Sequence, residues 1–137
     1  ELATHLARFK AEEVARRHPT SVVLGADTVV AVGATMYGKA DTPADARAML
    51  SALAGRDQLV ITGVCVMRHS PARQLVSAAV ATVTMRPLTD AELDAYVASD
   101  QWRGKAGAYG IQDLDPDADP FARLTDGEFS TVVGLPM

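Results

Sequence analysis

With 137 residues, 48% of them hydrophobic and 22% charged, the chain is long enough to bury a core and too evenly mixed to be disordered or fibrous. A formal charge of −4 excludes a surface that grips nucleic acid polymers through many phosphate contacts, since that needs clustered Lys and Arg, but it leaves room for a small anion held by a few local cations. The single cysteine, Cys65, excludes a disulfide framework and a cysteine-built zinc site, and its apolar neighbours make it a buried thiol.

No stretch is long and apolar enough to span a bilayer, and the first ten residues carry no signal-peptide pattern, so the expected location is the cytoplasm with no membrane partner. One domain over residues 1–137 is expected. The chain opens on Glu1-Leu2-Ala3, already inside a helical pattern, and stops after Leu135-Pro136-Met137, so this domain is expected to be truncated at both ends.

The first helix is predicted over residues 2–17, with Leu2, Leu6 and Phe9 at helical spacing, Arg16 and Arg17 at the cation-favouring end, and Pro19 as the stop. Lys10 lies four residues from both Leu6 and Val14, so its stem runs along an apolar edge; by itself that is a snorkelling lysine. Residues 21–32 read as a buried strand interrupted by Gly25-Ala26-Asp27-Thr28. A loop bracketed by Gly33 and Gly38 leads to Lys39. Thr42-Pro43-Ala44-Asp45 opens a second helix, with Ala46, Met49, Leu50 and Leu53 as its core face and Gly55 as its end.

Two long strands, residues 58–68 and 74–86, flank a hairpin at His69-Ser70-Pro71-Ala72. Thr89-Asp90-Ala91-Glu92 is a capping box for a third helix. After the glycine-rich segment from Gly104 to Gly110 and an acidic loop carrying Asp113, Asp115, Asp117 and Asp119, the run Phe129 to Val133 reads as a last strand. The order implies an α/β protein with a mixed β-sheet flanked by helices.

Asp27 is the first candidate for chemistry. A lone carboxylate in an apolar run is expensive to bury unless it is paired, hydrogen-bonded or metal-bound, and the pattern leaves open a working acid or the solvated end of a strand. Thr28 alone says little. Lys39 and Lys105 have small neighbours that let an anion approach, although their spacing matches neither a Walker loop nor a dinucleotide fingerprint, and a lysine so placed is more often a solvated loop residue. Gln112 offers donor and acceptor together, as the edge of a base requires. His5, His18 and His69 show no metal-ligand spacing, and Pro116 with the missing central glycine breaks any EF-hand pattern in the acidic loop.

Taken in order, Leu24-Gly25-Ala26-Asp27-Thr28-Val29-Val30, Gly38-Lys39, Thr62-Gly63-Val64, Lys105-Ala106-Gly107-Ala108-Tyr109-Gly110-Ile111-Gln112 and Val132-Val133-Gly134-Leu135-Pro136 resemble the Maf family of nucleotide pyrophosphatases. The resemblance implies a fold similar to inosine triphosphate pyrophosphatases, a mixed sheet with helices around a deep cleft. It implies hydrolysis of a nucleoside triphosphate to the monophosphate and pyrophosphate with a divalent cation, Mg²⁺ or Mn²⁺. Asp27 then corresponds to the general base and metal ligand, Lys10, Lys39 and Lys105 to substrate-binding cations, and Thr28 with Gln112 to the pair found in members acting on dTTP and UTP or related pyrimidine nucleotides. Members are often homodimers. The family's opening Ser-x-Ser-Pro-Arg-Arg block and closing helix have no counterpart here, and Ala40 and Gly104 replace a common proline and acid. The competing expectation is a catalytically silent nucleotide-binding or regulatory module.

Overall fold

The computed structural model describes residues 2–114, 117 and 119–135. Its elements are α1 (Leu2–Arg17), β1 (Val23–Val32), β2 (Thr35–Tyr37), α2 (Pro43–Leu53), β3 (Asp57–Arg68), β4 (Arg73–Met85), α3 (Asp90–Ala98), a 3₁₀ turn (Ile111–Asp113), β5 (Ala122–Asp126) and α4 (Phe129–Val133). The strands form one sheet in the order β2-β1-β3-β4-β5, and every described pair is antiparallel, with helices on both faces. No helix among the described residues is long and apolar enough to cross a membrane.

The two faces are packed on different principles. On one, α2, α3 and the 102–111 segment cover β1, β3 and β4 with large side chains, including Leu50, Leu53, Val60, Met85 and Trp102. On the other, α1 lies on β1 and β3 through Ala3, Ala7, Ala11 and Ala15. This corrects the face expected from sequence, because Leu2, Phe9 and Val14 are exposed. The reason is close approach: a β carbon on Gly25 would stand 2.5 Å from the Ala7 carbonyl oxygen, and one on Gly63 2.4 Å from Ala3. Bulky residues on that face would hold the helix away from the glycines.

Helix α2 begins as its sequence predicts, the Thr42 hydroxyl accepting from the Asp45 amide at 3.1 Å. At the start of α3 both bonds of the capping box form: the Glu92 amide donates to Thr89 Oγ1 at 3.2 Å and the Thr89 amide to Glu92 Oε1 at 3.1 Å. Arg86 Nη2 also donates to Glu92 Oε2 at 2.7 Å.

The guanidinium of Arg86, helped by the Thr89 amide, holds the Glu92 carboxyl at about 2 rather than 4.5. Folding therefore favours the ionised acid, and the stability it contributes is complete above pH 4.5 and lost as pH falls towards 2. Glu92→Gln, with no charge to titrate, is expected to flatten the fall in melting temperature across that window; an unchanged slope would contradict the assignment.

The C-terminal region departs from expectation. Phe129 to Val133 is a helix, not a strand, and the strand is Ala122–Asp126. The β-branched residues of α4 are overridden by context. Gly134 takes a φ of +118°, and the amides of Gly134 and Leu135 both donate to the Ser130 carbonyl at 3.1 Å, closing a helical turn. In β5, Ala122 and Leu124 point inward between Arg123 and Thr125, an alternation that Gly127 ends. The segment between Gly33 and Gly38 also holds a short strand, β2, where a loop was expected.

Candidate active site

Strand β2 pairs with β1 only at Val30–Val32. Among the described residues, the edge of β1 before Val30 therefore has no strand beside it, and a cleft opens there. All six residues singled out from sequence, Lys10, Asp27, Thr28, Lys39, Lys105 and Gln112, line this cleft.

Successive residues of a strand point to opposite faces, so Asp27 and Thr28 serve different sides of the same edge. Asp27 shares the α1 face with Gly25. Its side chain is only 12% exposed and pairs through Oδ1 with Lys10 Nζ, on the third turn of α1. The snorkelling reading of Lys10 is thus replaced by an ion pair at the cleft. The alanine stripe matters here, because the closeness it permits brings Lys10 to β1. Among the described residues Asp27 Oδ2 has no protein partner.

Thr28 faces the opposite side, where Oγ1 lies 2.8 Å from Oγ1 of Thr62, its cross-strand neighbour on β3. Thr62 Oγ1 in turn donates to the Thr131 carbonyl of α4 at 2.7 Å. Sequence assigns no role to Thr62 or Thr131; the signal available is a threonine midway along the apolar stretch from Leu59 to Met67 of β3.

The two lysine loops are tied together by a bridge between Lys39 and Ala106 and by the Gly107 amide donating to the Gly38 carbonyl at 2.9 Å. Beneath them, buried Tyr109 donates to Gln58 Oε1 at 2.9 Å, and the Gly110 amide donates to Tyr96 Oη at 3.2 Å. Burial pushes both phenols up from their ordinary value, so they stay neutral supports.

Lys105 pairs with Asp113, which places one residue of the expected acidic loop beside the cleft; Asp115 lies outside the described residues. Gly110 leaves room for this pair, since a β carbon would stand 2.7 Å from Asp113 Oδ2 and 2.8 Å from Lys105 Nζ and push these side-chain ends aside. Among the described residues Lys39 has no carboxylate partner, and Gln112 is exposed and makes no side-chain bond. The three histidines are exposed and Cys65 is buried, as expected.

Three lysines, one mostly covered carboxylate, a hydroxyl and an amide converge on the free edge of an α/β sheet. That combination makes a cleft suited to a small anion. A family model described as Maf-like protein matches residues 1–137, and the chain belongs to that family. It is 47% identical over 136 residues to the dTTP/UTP pyrophosphatase of Caulobacter vibrioides, covering 98% of this chain and 68% of the relative. It is 46% identical over 138 residues to that of Hyphomonas neptunium, covering 100% and 69%, and 47% identical over 116 residues to that of Agrobacterium fabrum, covering 84% and 54%. The chain thus spans between about half and two thirds of the length of these relatives.

Proposed function

We propose that this protein hydrolyses dTTP and UTP to the nucleoside monophosphate and pyrophosphate, with Asp27 as general base. The observation that carries the reading is the Asp27 carboxylate, mostly covered at a free strand edge inside a cleft lined by three lysines.

Lys10 is 49% exposed on its side chain and Asp27 12%, so the lysine is the movable partner and the carboxylate the fixed one. A triphosphate entering the cleft offers Lys10 more negative charge than Asp27 does, and Lys10 shifts towards it. Lys39 meets the phosphates without first breaking an ion pair, and Lys105 exchanges part of its contact with Asp113. These cations offset charge that develops on the leaving pyrophosphate, where prearranged charge is most effective. Asp27, released from Lys10, accepts the proton of the attacking water.

Among the described residues no three His, Cys, Asp or Glu side chains converge on a metal position. Among the described residues that line the cleft Asp27 is the one carboxylate, and it would hold a Mg²⁺ that arrived with its nucleotide and took its remaining ligands from phosphate and water. When bound, such a cation supplies a lowered water pKa and further charge neutralisation.

The test is product analysis with a nucleotide panel. Pyrophosphate and monophosphate are expected from dTTP and UTP in Mg²⁺, with turnover abolished by EDTA. Calorimetric binding of these nucleotides without turnover would overturn the reading in favour of a silent nucleotide-binding module.

A further inference from the structure

The hydrogen-bond chain behind Thr28 fixes the direction of a proton. A carbonyl can only accept, so the 2.7 Å bond between Thr62 Oγ1 and the Thr131 carbonyl takes the one proton Thr62 has. The 2.8 Å contact between Thr62 and Thr28 must then be donated by Thr28. Thr62 and Thr131 are 0% and 1% exposed, so no water competes for these positions. With its proton committed inward, the Thr28 hydroxyl meets the cleft with lone pairs alone.

An acceptor-only hydroxyl is a poor neighbour for phosphate and a good one for an N–H donor. The surroundings agree. Thr28 lies on the face of the sheet opposite the Asp27–Lys10 pair, and Val30, Val60 and Val132 line the cleft with it. These three valines make an apolar wall that suits the face of a base, while Lys39 and Lys105, on the loops that flank it, are left for the phosphates.

We propose that Thr62 is a specificity-positioning residue that, by donating to Thr131, forces Thr28 to act as an acceptor for the ring N3–H of a uracil or thymine base. Cytosine presents a lone pair at N3 and would meet the oxygen of Thr28 lone pair to lone pair. The inference rests on the proposed pyrimidine triphosphate reading and adds the residue and the proton that enforce it.

The first arm of the test uses the protein unaltered, comparing kcat/KM for UTP, CTP and N3-methyluridine triphosphate. Both N3-blocked or N3-unprotonated bases are expected to fall at least about tenfold below UTP, as a site built around one hydrogen bond rejects ligands lacking it. The second arm is Thr62→Val, which frees the Thr28 proton, with Thr62→Ser as the conservative control. The UTP-to-CTP preference is expected to collapse about tenfold in the valine variant and to persist in the serine variant. The preference is a ratio within one preparation, so partial unfolding does not move it. A Thr62→Val enzyme that loses UTP and CTP activity equally, or a wild-type enzyme that accepts N3-methyluridine triphosphate as well as UTP, overturns the inference. Failure of the wild-type enzyme to turn over UTP at all would instead overturn the functional reading.

Discussion

Asp27→Asn is expected to lower turnover of dTTP and UTP by about three to four orders of magnitude, the upper range for losing a general base. The substitution keeps the shape of the side chain and removes its charge, so in the proposed mechanism water would lose its proton acceptor and a metal-bound nucleotide the Asp27 carboxylate. Lys10 loses an ion-pair partner, but its side chain is half exposed and returns to water, so stability is expected to change by less than about 1 kcal/mol. The measurement is steady-state pyrophosphate release beside a thermal melt of the same sample. A variant that folds and retains activity within a few-fold of wild type would remove Asp27 from the mechanism.

Gly63→Ala is expected to destabilise the fold by about 2–3 kcal/mol, the range for forcing atoms into a filled interior. In open space the same change stabilises slightly, because alanine has less conformational freedom to lose. Here the new β carbon would stand 2.4 Å from both the carbonyl carbon and the oxygen of Ala3 and 2.5 Å from the amide of Thr4. These are backbone atoms of α1, which no rotamer change can move aside, so the helix must lift from β3. Gly38→Ala is the control, since nothing lies within 4 Å of the position its β carbon would take. Urea denaturation of the three proteins measures the difference, and equal midpoints would contradict the close-packed account of α1. Because α1 also carries Lys10, the Gly63 variant is expected to bind nucleotide less tightly even at temperatures where it remains folded.

These two residues also show what was legible in the sequence. Asp27 stood out chemically because an acid in an apolar strand demands a partner, and the structure supplies Lys10. Lys39, Lys105 and Gln112 carried weak local signals, and only the order of the blocks around them brought them to one cleft. The helices opening at Thr42 and Thr89 were readable because capping is local, needing only side chains within three residues of the backbone amide they satisfy. The face of α1 was not readable. Hydrophobic periodicity favoured Leu2, Leu6 and Phe9, whereas the buried stripe is alanine, selected by glycines on two strands distant in sequence. The C-terminal strand was misplaced for a related reason: Phe129 to Val133 has strand-forming side chains, yet the αL turn at Gly134 and the bond from Thr62 to Thr131 hold it as a helix. The threonine relay could not be read at all, because the direction of a hydroxyl proton is decided by which atoms meet across β1, β3 and α4.

The most direct test of the account is hydrolysis of UTP and dTTP in ¹⁸O-enriched water with Mg²⁺, the products resolved by mass spectrometry. In the proposed mechanism Asp27 activates water against the phosphorus that bears the nucleoside while the lysines hold the departing pyrophosphate, so the label is predicted in the nucleoside monophosphate and absent from pyrophosphate. Label in pyrophosphate, or release of inorganic phosphate and a nucleoside diphosphate, would contradict it.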